Sequence, residues 1–297
     1  MTRQICLISE GWEATISSVG ASLRQLNRRG LDLCPPAPLV GDPERFQGSV
    51  IAPWANRIAG GRYSFDGENY QLDITEAERN NALHGFSGVK AWDVVAGDDS
   101  SVSLETVTGD QPGYPWSIQL TVRYRLFDSG LGMQFSAMNL SDTRAPFGYA
   151  FHPYLKLPMS SAADWKLESS ANQVLLVDPD RLLPIEVSNV TGTEFDFRVS
   201  KSPRSSTLDN AFTELKSVNG RFSASLADKT HRIEMTWQDT ANWVQLHFPA
   251  GQGQERESVV IEPSTDFPNI FNSSEGPKVL APEESFHSSV LISAAAI

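Results

Sequence analysis

Cysteine is scarce in this chain of 297 residues: Cys6 and Cys34 are the only two. That excludes a disulfide framework and an all-thiolate metal site. Both thiols are expected to be reduced. Basic residues are also in short supply, 24 Lys and Arg against 36 Asp and Glu, for a net charge of −12. Nucleic-acid binding needs Lys and Arg to neutralise phosphates, and an anionic membrane surface needs the same. Neither partner is expected. No stretch approaches the roughly 20 apolar residues of a membrane-spanning helix. The first ten residues, through Glu10, hold too short an apolar run for a signal peptide. A cytoplasmic protein is expected, and the three N-x-S/T sequons, at Asn139, Asn189 and Asn272, carry no weight without a secretory signal. Several motifs are missing too: no dinucleotide-binding glycine fingerprint, no Walker loop, no His-Glu-x-x-His and no Gly-x-Ser-x-Gly. No two histidines have close metal-ligand spacing, so neither a metal nor a cofactor is expected.

Convincing helical periodicity is absent as well; only 75–79 reads as one helical turn. The period that is present is two. Ile118, Leu120, Val122, Tyr124 and Leu126 alternate with polar Gln119, Thr121, Arg123 and Arg125, the pattern of a strand with one face on a core. Asp128-Ser129-Gly130 turns the chain, and Leu131, Met133, Phe135 and Ala137 run back as the partner strand. Tyr63 and Phe65 lead into Asp66-Gly67, and Tyr70 and Leu72 lead out; Asp-Gly between alternating runs is a tight hairpin. Further strands are expected at Ile233–Trp237, Val244–Phe248, Val259–Ile261 and Val290–Ile292. The 21 glycines and 18 prolines are spread evenly, so no linker divides the chain. The fold class predicted is all-β, one large antiparallel β-sandwich over residues 1–297 with few short helices.

Candidate chemistry gathers at few places. His84 precedes Gly85 and His152 precedes Pro153; both look like loop positions held by rigid strands. Glu262 follows the apolar run Val259-Val260-Ile261 and precedes Pro263. A carboxylate leaving a buried strand is partly desolvated, which raises its pKa toward useful base strength. Asp209 reads as a weaker candidate or a turn former. Arg57, among apolar residues, wants a bidentate oxygen partner, either a ligand hydroxyl or an internal carboxylate. Trp54 offers a flat face to a sugar ring or is core. His231, His247 and His287 look unremarkable: a turn, the outer face of a strand and a polar tail.

Five segments together resemble the aldose 1-epimerase (mutarotase) family. They are Asn56-Arg57-Ile58 with the following Asp66-Gly67 hairpin, Asn81-x-Leu83-His84-Gly85, His152-Pro153-Tyr154, Leu208-Asp209 with Phe212, and Glu262-Pro263 through Phe271-Asn272. Each alone is weak; their order and spacing over nearly the whole chain are specific. Phe86 and Leu155 stand where many members have Gly and Phe. The chain is shorter than the galactose mutarotases and resembles a shorter branch. The resemblance implies a large β-sandwich, a small-molecule sugar substrate, a monomer or homodimer, and no cofactor. It implies interconversion of the α and β anomers of a free aldohexose, with Glu262 as base, His152 as acid and His84 near the ring oxygen. Asp209, Arg57, Asn56 and Trp54 would contact the sugar. Two other readings fit the same scaffold. A hexose-6-phosphate 1-epimerase would need extra cations at the cleft, for which Arg62 and Lys90 are the candidates. A carbohydrate-binding or sensing protein would keep the sandwich without turnover.

Overall fold

The computed structural model describes residues 2–35, 46–205, 208–248 and 258–296. The alternating segment predicted from Ile118 onward is the strand Tyr114–Phe127, and it pairs with Gly130–Asn139 from Ile118↔Asn139 to Phe127↔Gly130. Its alternating apolar positions from Tyr114 to Leu126 are buried, and the residues between them face outward. Each such large apolar side chain contributes about 1.5–3 kcal/mol on burial. This hairpin lies within an antiparallel sheet of eight strands. In spatial order they are Asp93–Gly97, Ser101–Gln111, Tyr114–Phe127, Gly130–Asn139, Ser285–Ala296, His231–Gln238, Arg221–Ala227 and Lys166–Ser169.

A second antiparallel sheet runs Pro184–Asn189, Gln173–Val177, Asp209–Thr213, Trp243–His247, Val259–Ser264, Ala150–Phe151 and Val50–Ile51, with Tyr154–Leu155 also on Val259–Ser264. The two sheets share one core. Phe135 of the first stacks on Tyr149 with ring centroids 4.2 Å apart, and Tyr124 meets Phe151 at 6.3 Å. A four-stranded sheet, Gln4–Ser9, Trp12–Ser17, Ser22–Arg28 and Leu31–Asp32, adds Leu7, Trp12 and Leu23 to the same buried cluster. Helical structure among the described residues amounts to short 3-10 turns, one of them Ala77–Arg79 in the segment expected to make a helical turn. The fold is the antiparallel β-sandwich expected.

Two local readings change. His287 lies in Ser285–Ala296, a twelve-residue strand inside the first sheet, and not in a tail. Asp209 opens a strand and forms no turn. Cys34 is buried, Cys6 is exposed, and both are free thiols.

The second sheet positions the site. Register places Ala211, Gln245 and Glu262 in one row across three strands, and Asp209, His247 and Val260 in the next. Strand alternation sends Val244, Leu246 and Ile261 to the opposite face, into the core. The face that is polar in sequence is therefore the one that carries the candidate chemistry.

Candidate active site

Glu262 is 1 % exposed, inside the Val259–Ser264 strand. Burial pushes its carboxyl pKa well above the ordinary range; the Asp209 carboxylate adds to this and the Arg57 guanidinium opposes it. His152 leaves the sheet between Ala150–Phe151 and Tyr154–Leu155. Its backbone is pinned on both sides: its N–H donates to the Ser49 carbonyl at 3.0 Å, and its carbonyl accepts from the Gly48 N–H at 2.9 Å. That clamp brings His152 Nε2 to 3.4 Å from Glu262 Oε2. Burial lowers the imidazole pKa to about 4, and nearby His247 pushes the same way.

His84 completes the cluster. Its ring stands perpendicular to that of His152, with centroids 5.3 Å apart. One ligating atom from each of His84, His152 and Glu262 falls within 4.8 Å of the others. The local backbone explains this placement. His84 and Asn56 both take left-handed φ, 60° and 59°, and hold each other reciprocally. The His84 N–H donates to the Asn56 carbonyl at 3.0 Å, and the Asn56 N–H donates to His84 Nδ1 at 3.1 Å. Gly85 also has φ 55°, and a Cβ there would lie 2.3 Å from the Ala52 carbonyl oxygen, so only glycine fits.

The bond from Asn56 decides the His84 tautomer. A backbone N–H can only donate, so Nδ1 is the bare acceptor and the proton sits on Nε2. Burial, His152 and Arg57 hold the His84 pKa well below its usual value, so the ring is neutral. His84 is therefore a neutral ring with its N–H donor on Nε2. The same fact bears on metal binding. Two imidazoles and a carboxylate suit a divalent ion by type and spacing, but a His84 with its free lone pair occupied and a hydrogen on Nε2 has no lone pair to give. The donor set fits a proton-handling cluster better than a metal centre.

Around the cluster, Arg57 takes an internal carboxylate, one of the two partners its sequence context left open. Its Nε and Nη2 each donate to Glu76 at 2.9 Å, and Nη1 donates to Asn56 Oδ1 at 3.2 Å. Glu76 also accepts from Asn81 Nδ2 at 2.9 Å. Its pKa is lowered: burial would raise it, but the bonds from Arg57 and Asn81 outweigh that. Asn56 Nδ2 lies 3.4 Å from Gln245 Oε1, and Gln245 Nε2 donates to Asp209 Oδ1 at 2.7 Å. A polar chain thus runs from Glu76 through Arg57, Asn56 and Gln245 to Asp209, flanking Glu262.

The structure brings His84, His152, Glu262, Arg57, Asn56 and Asp209 into one place. Trp54 does not join them as a sugar-facing plane. It is 2 % exposed, its ring packed edge-on against Phe86 at 4.8 Å and beside Tyr114 at 6.4 Å. It belongs to the core beneath the His84 turn. Arg62 donates to Gln71 on an exposed hairpin, and Lys90 to the Val107 carbonyl; neither contacts the cluster. Three residues escaped the sequence reading. Glu76 looked like one of many solvated carboxylates, and Gln245 carried no motif. His247 sits on the outer face of its strand, and that face is the site: His247 Nδ1 lies 3.6 Å from Asp209 Oδ1.

The family model for aldose 1-epimerase matches residues 3–293. The chain belongs to the aldose 1-epimerase family. Among its relatives is the protein YihR of Escherichia coli K12, an uncharacterized protein 29 % identical over 270 residues, or 91 % of this chain and 86 % of that one. An aldose 1-epimerase of the same organism is 33 % identical over 199 residues, covering 64 % of this chain and 56 % of the relative. Galactose mutarotase of Bos taurus is 31 % identical over 161 residues, 52 % and 45 % of the two chains. The alignments to these two named enzymes thus take in about half of each enzyme's length. In fold, a GalM/aldose epimerase homologue from C. elegans superposes with TM-score 0.86 at 22 % identity over the whole of both chains. A galactose mutarotase-like protein from Clostridium acetobutylicum also gives 0.86, at 20 % identity, over 100 % of this chain and 99 % of that one.

Proposed function

We propose that this member of the aldose 1-epimerase family interconverts the α and β anomers of a free aldose, with Glu262 and His152 as the proton-transfer pair. The observation that carries the reading is their 3.4 Å contact combined with opposite shifts. Burial raises Glu262 well above the carboxylate range and brings His152 down to about 4. Between those limits the two groups hold a single proton between them. Buried as it is, the pair favours the neutral arrangement, protonated Glu262 beside neutral His152. A bound sugar offers hydroxyl dipoles that lower the cost of the charged arrangement, ionised Glu262 beside His152 imidazolium.

Mutarotation moves that one proton across the substrate. Ionised Glu262 takes the proton of the C1 hydroxyl while His152 gives one to the ring oxygen, and the bond from C1 to the ring oxygen breaks. The aldehyde turns about the C1–C2 bond. Closure on its other face returns the proton to His152 from the ring hydroxyl and takes one back from Glu262 to the new C1 oxygen. No net proton is gained or lost. His84 Nε2–H donates toward the ring oxygen, and Arg57, Asn56, Gln245 and Asp209 hold the other hydroxyls. A phosphorylated sugar is disfavoured, because the two cations that would hold the phosphate make other contacts.

Polarimetry on freshly dissolved α-D-glucose and α-D-galactose in weak buffer near pH 7 tests the proposal. Faster approach to the same end rotation supports it and ranks the sugars. A folded protein that accelerates none of a panel of common aldoses refutes it.

A further inference from the structure

Asp266 lies four residues beyond Glu262 and is 3 % exposed. No part of the mechanism above uses it, yet it touches three of the segments that build the site. Its Oδ2 accepts from the Ala55 N–H at 2.9 Å, and its Oδ1 accepts from Thr265 Oγ1 at 3.0 Å. Its own N–H donates to Ser264 Oγ at 2.9 Å. On the third side is Gly148, where a Cβ would lie 1.7 Å from Oδ2. Gly148 has an ordinary φ, so it is needed there for space. Gly148 also donates its N–H to the Pro53 carbonyl at 2.6 Å. Asp266 is therefore the peg on which the 53–57 loop hangs against the segment leading to His152.

The consequence passes through one peptide. Ala55 immediately precedes Asn56, whose N–H must point at His84 Nδ1 to keep the His84 proton on Nε2. We infer that Asp266 is a positioning residue: by holding the Ala55 amide, it fixes the Asn56 N–H on His84 Nδ1 and so keeps the His84 proton on Nε2. A bare loop, free to rotate its peptides, would let His84 exchange tautomers and turn an N–H donor into an acceptor. Around the carboxyl, the titratable groups are Lys278, Glu262 and Tyr114. Burial lifts Asp266 to about 7, with the Ala55 and Thr265 bonds and Lys278 opposing. The bond from Ala55 survives either protonation state, because a carboxylic acid keeps a carbonyl acceptor.

This inference rests on the proposed mutarotation only for its effect on turnover; the tautomer is measured separately. The experiment is 15N-edited NMR of the histidine rings, with His84 assigned through His84→Gln, alongside mutarotation rates. Wild type should show His84 as a single Nε2–H tautomer. Asp266→Asn keeps an acceptor for Ala55 and should retain that tautomer, with kcat within about twofold. Asp266→Ala should show mixed tautomers and a kcat about 10- to 100-fold lower, the loss expected from a misplacement of order 1 Å, with KM changed less than about threefold. Gly148→Ala displaces the carboxyl without removing it and should reproduce the Ala phenotype if Asp266→Ala fails to fold. A pure Nε2–H tautomer in folded Asp266→Ala or Gly148→Ala overturns the inference, and so does an Asp266→Asn variant as impaired as Asp266→Ala. Loss of turnover with every spectrum unchanged does the same. A wild type that shows the tautomer but accelerates no sugar refutes the mutarotation reading instead.

Discussion

Removing the Glu76 charge is a demanding test of how the site is held. Arg57 and Glu76 form a bidentate pair whose side chains are 11 % and 5 % exposed. Deleting one partner of a buried pair leaves the other uncompensated and costs about 3–5 kcal/mol. For 297 residues the unfolding entropy is about 0.6 kcal/mol per kelvin. Glu76→Leu should therefore lower Tm by roughly 5–8 °C. Arg57→Leu should cost less, because Glu76 keeps Arg79 Nη1 at 3.3 Å. The double variant should recover most of the loss, since a well-packed apolar pair replaces a buried ion pair at little net cost. Function should not recover: both Arg57→Leu variants should show a raised KM for sugar. The sign of the pH dependence is also fixed. Glu76 is held below its ordinary value of 4.5, so its contribution is present above that value and is lost as pH falls through the lower folded-state value. The acid-side fall in wild-type stability should be shallower in Glu76→Leu. Calorimetry of the four proteins across pH checks this. Additive Tm losses in the double variant, or unchanged stability in Glu76→Leu, would refute the argument.

Other perturbations have equally definite outcomes. The kcat/KM profile should be bell-shaped, with an acid limb near the His152 value of about 4 and an alkaline limb set by the raised Glu262; the two values belong to the coupled pair. A single limb near 6.5, the unperturbed imidazole value, would contradict the one-proton pair. Gln245→Leu cuts the bridge between Asn56 and Asp209 and leaves both short of a partner, so kcat/KM should fall about 5- to 150-fold, the cost of 1–3 kcal/mol of unpaired polar groups; wild-type kinetics would remove Gln245 from the site. His152→Asn should lower kcat more than His84→Asn does, and the reverse order would exchange their roles. A thiol reagent should modify one cysteine in the folded protein and two after denaturation. Cys6 is exposed, whereas Cys34 is buried with its thiol pushed up to about 12.

Sequence carried the fold because the alternation of Tyr114–Phe127 and its neighbours is a direct image of a sheet with one buried face. It carried the core of the site through segment order: His84, His152 and Glu262 lie far apart in the chain yet meet within 4.8 Å. It could not distinguish an outer strand face in water from one that carries the cluster. For that reason Gln245 and His247 passed as ordinary polar positions. Glu76 was invisible for a related cause: its partner Arg57 is 19 residues away, and nothing local marks a carboxylate as buried. Trp54 allowed two readings, a flat face for a sugar ring or core, and its edge-on packing against Phe86 places it in the core.

The most direct test of the central claim is to compare Glu262→Gln with wild type, measuring sugar binding by calorimetry and mutarotation by polarimetry on the same preparations. The one-proton pair predicts that the amide variant binds the sugar nearly as well but turns it over about 10²- to 10⁴-fold more slowly, the usual share of general acid–base catalysis. Near-normal turnover in Glu262→Gln would contradict it.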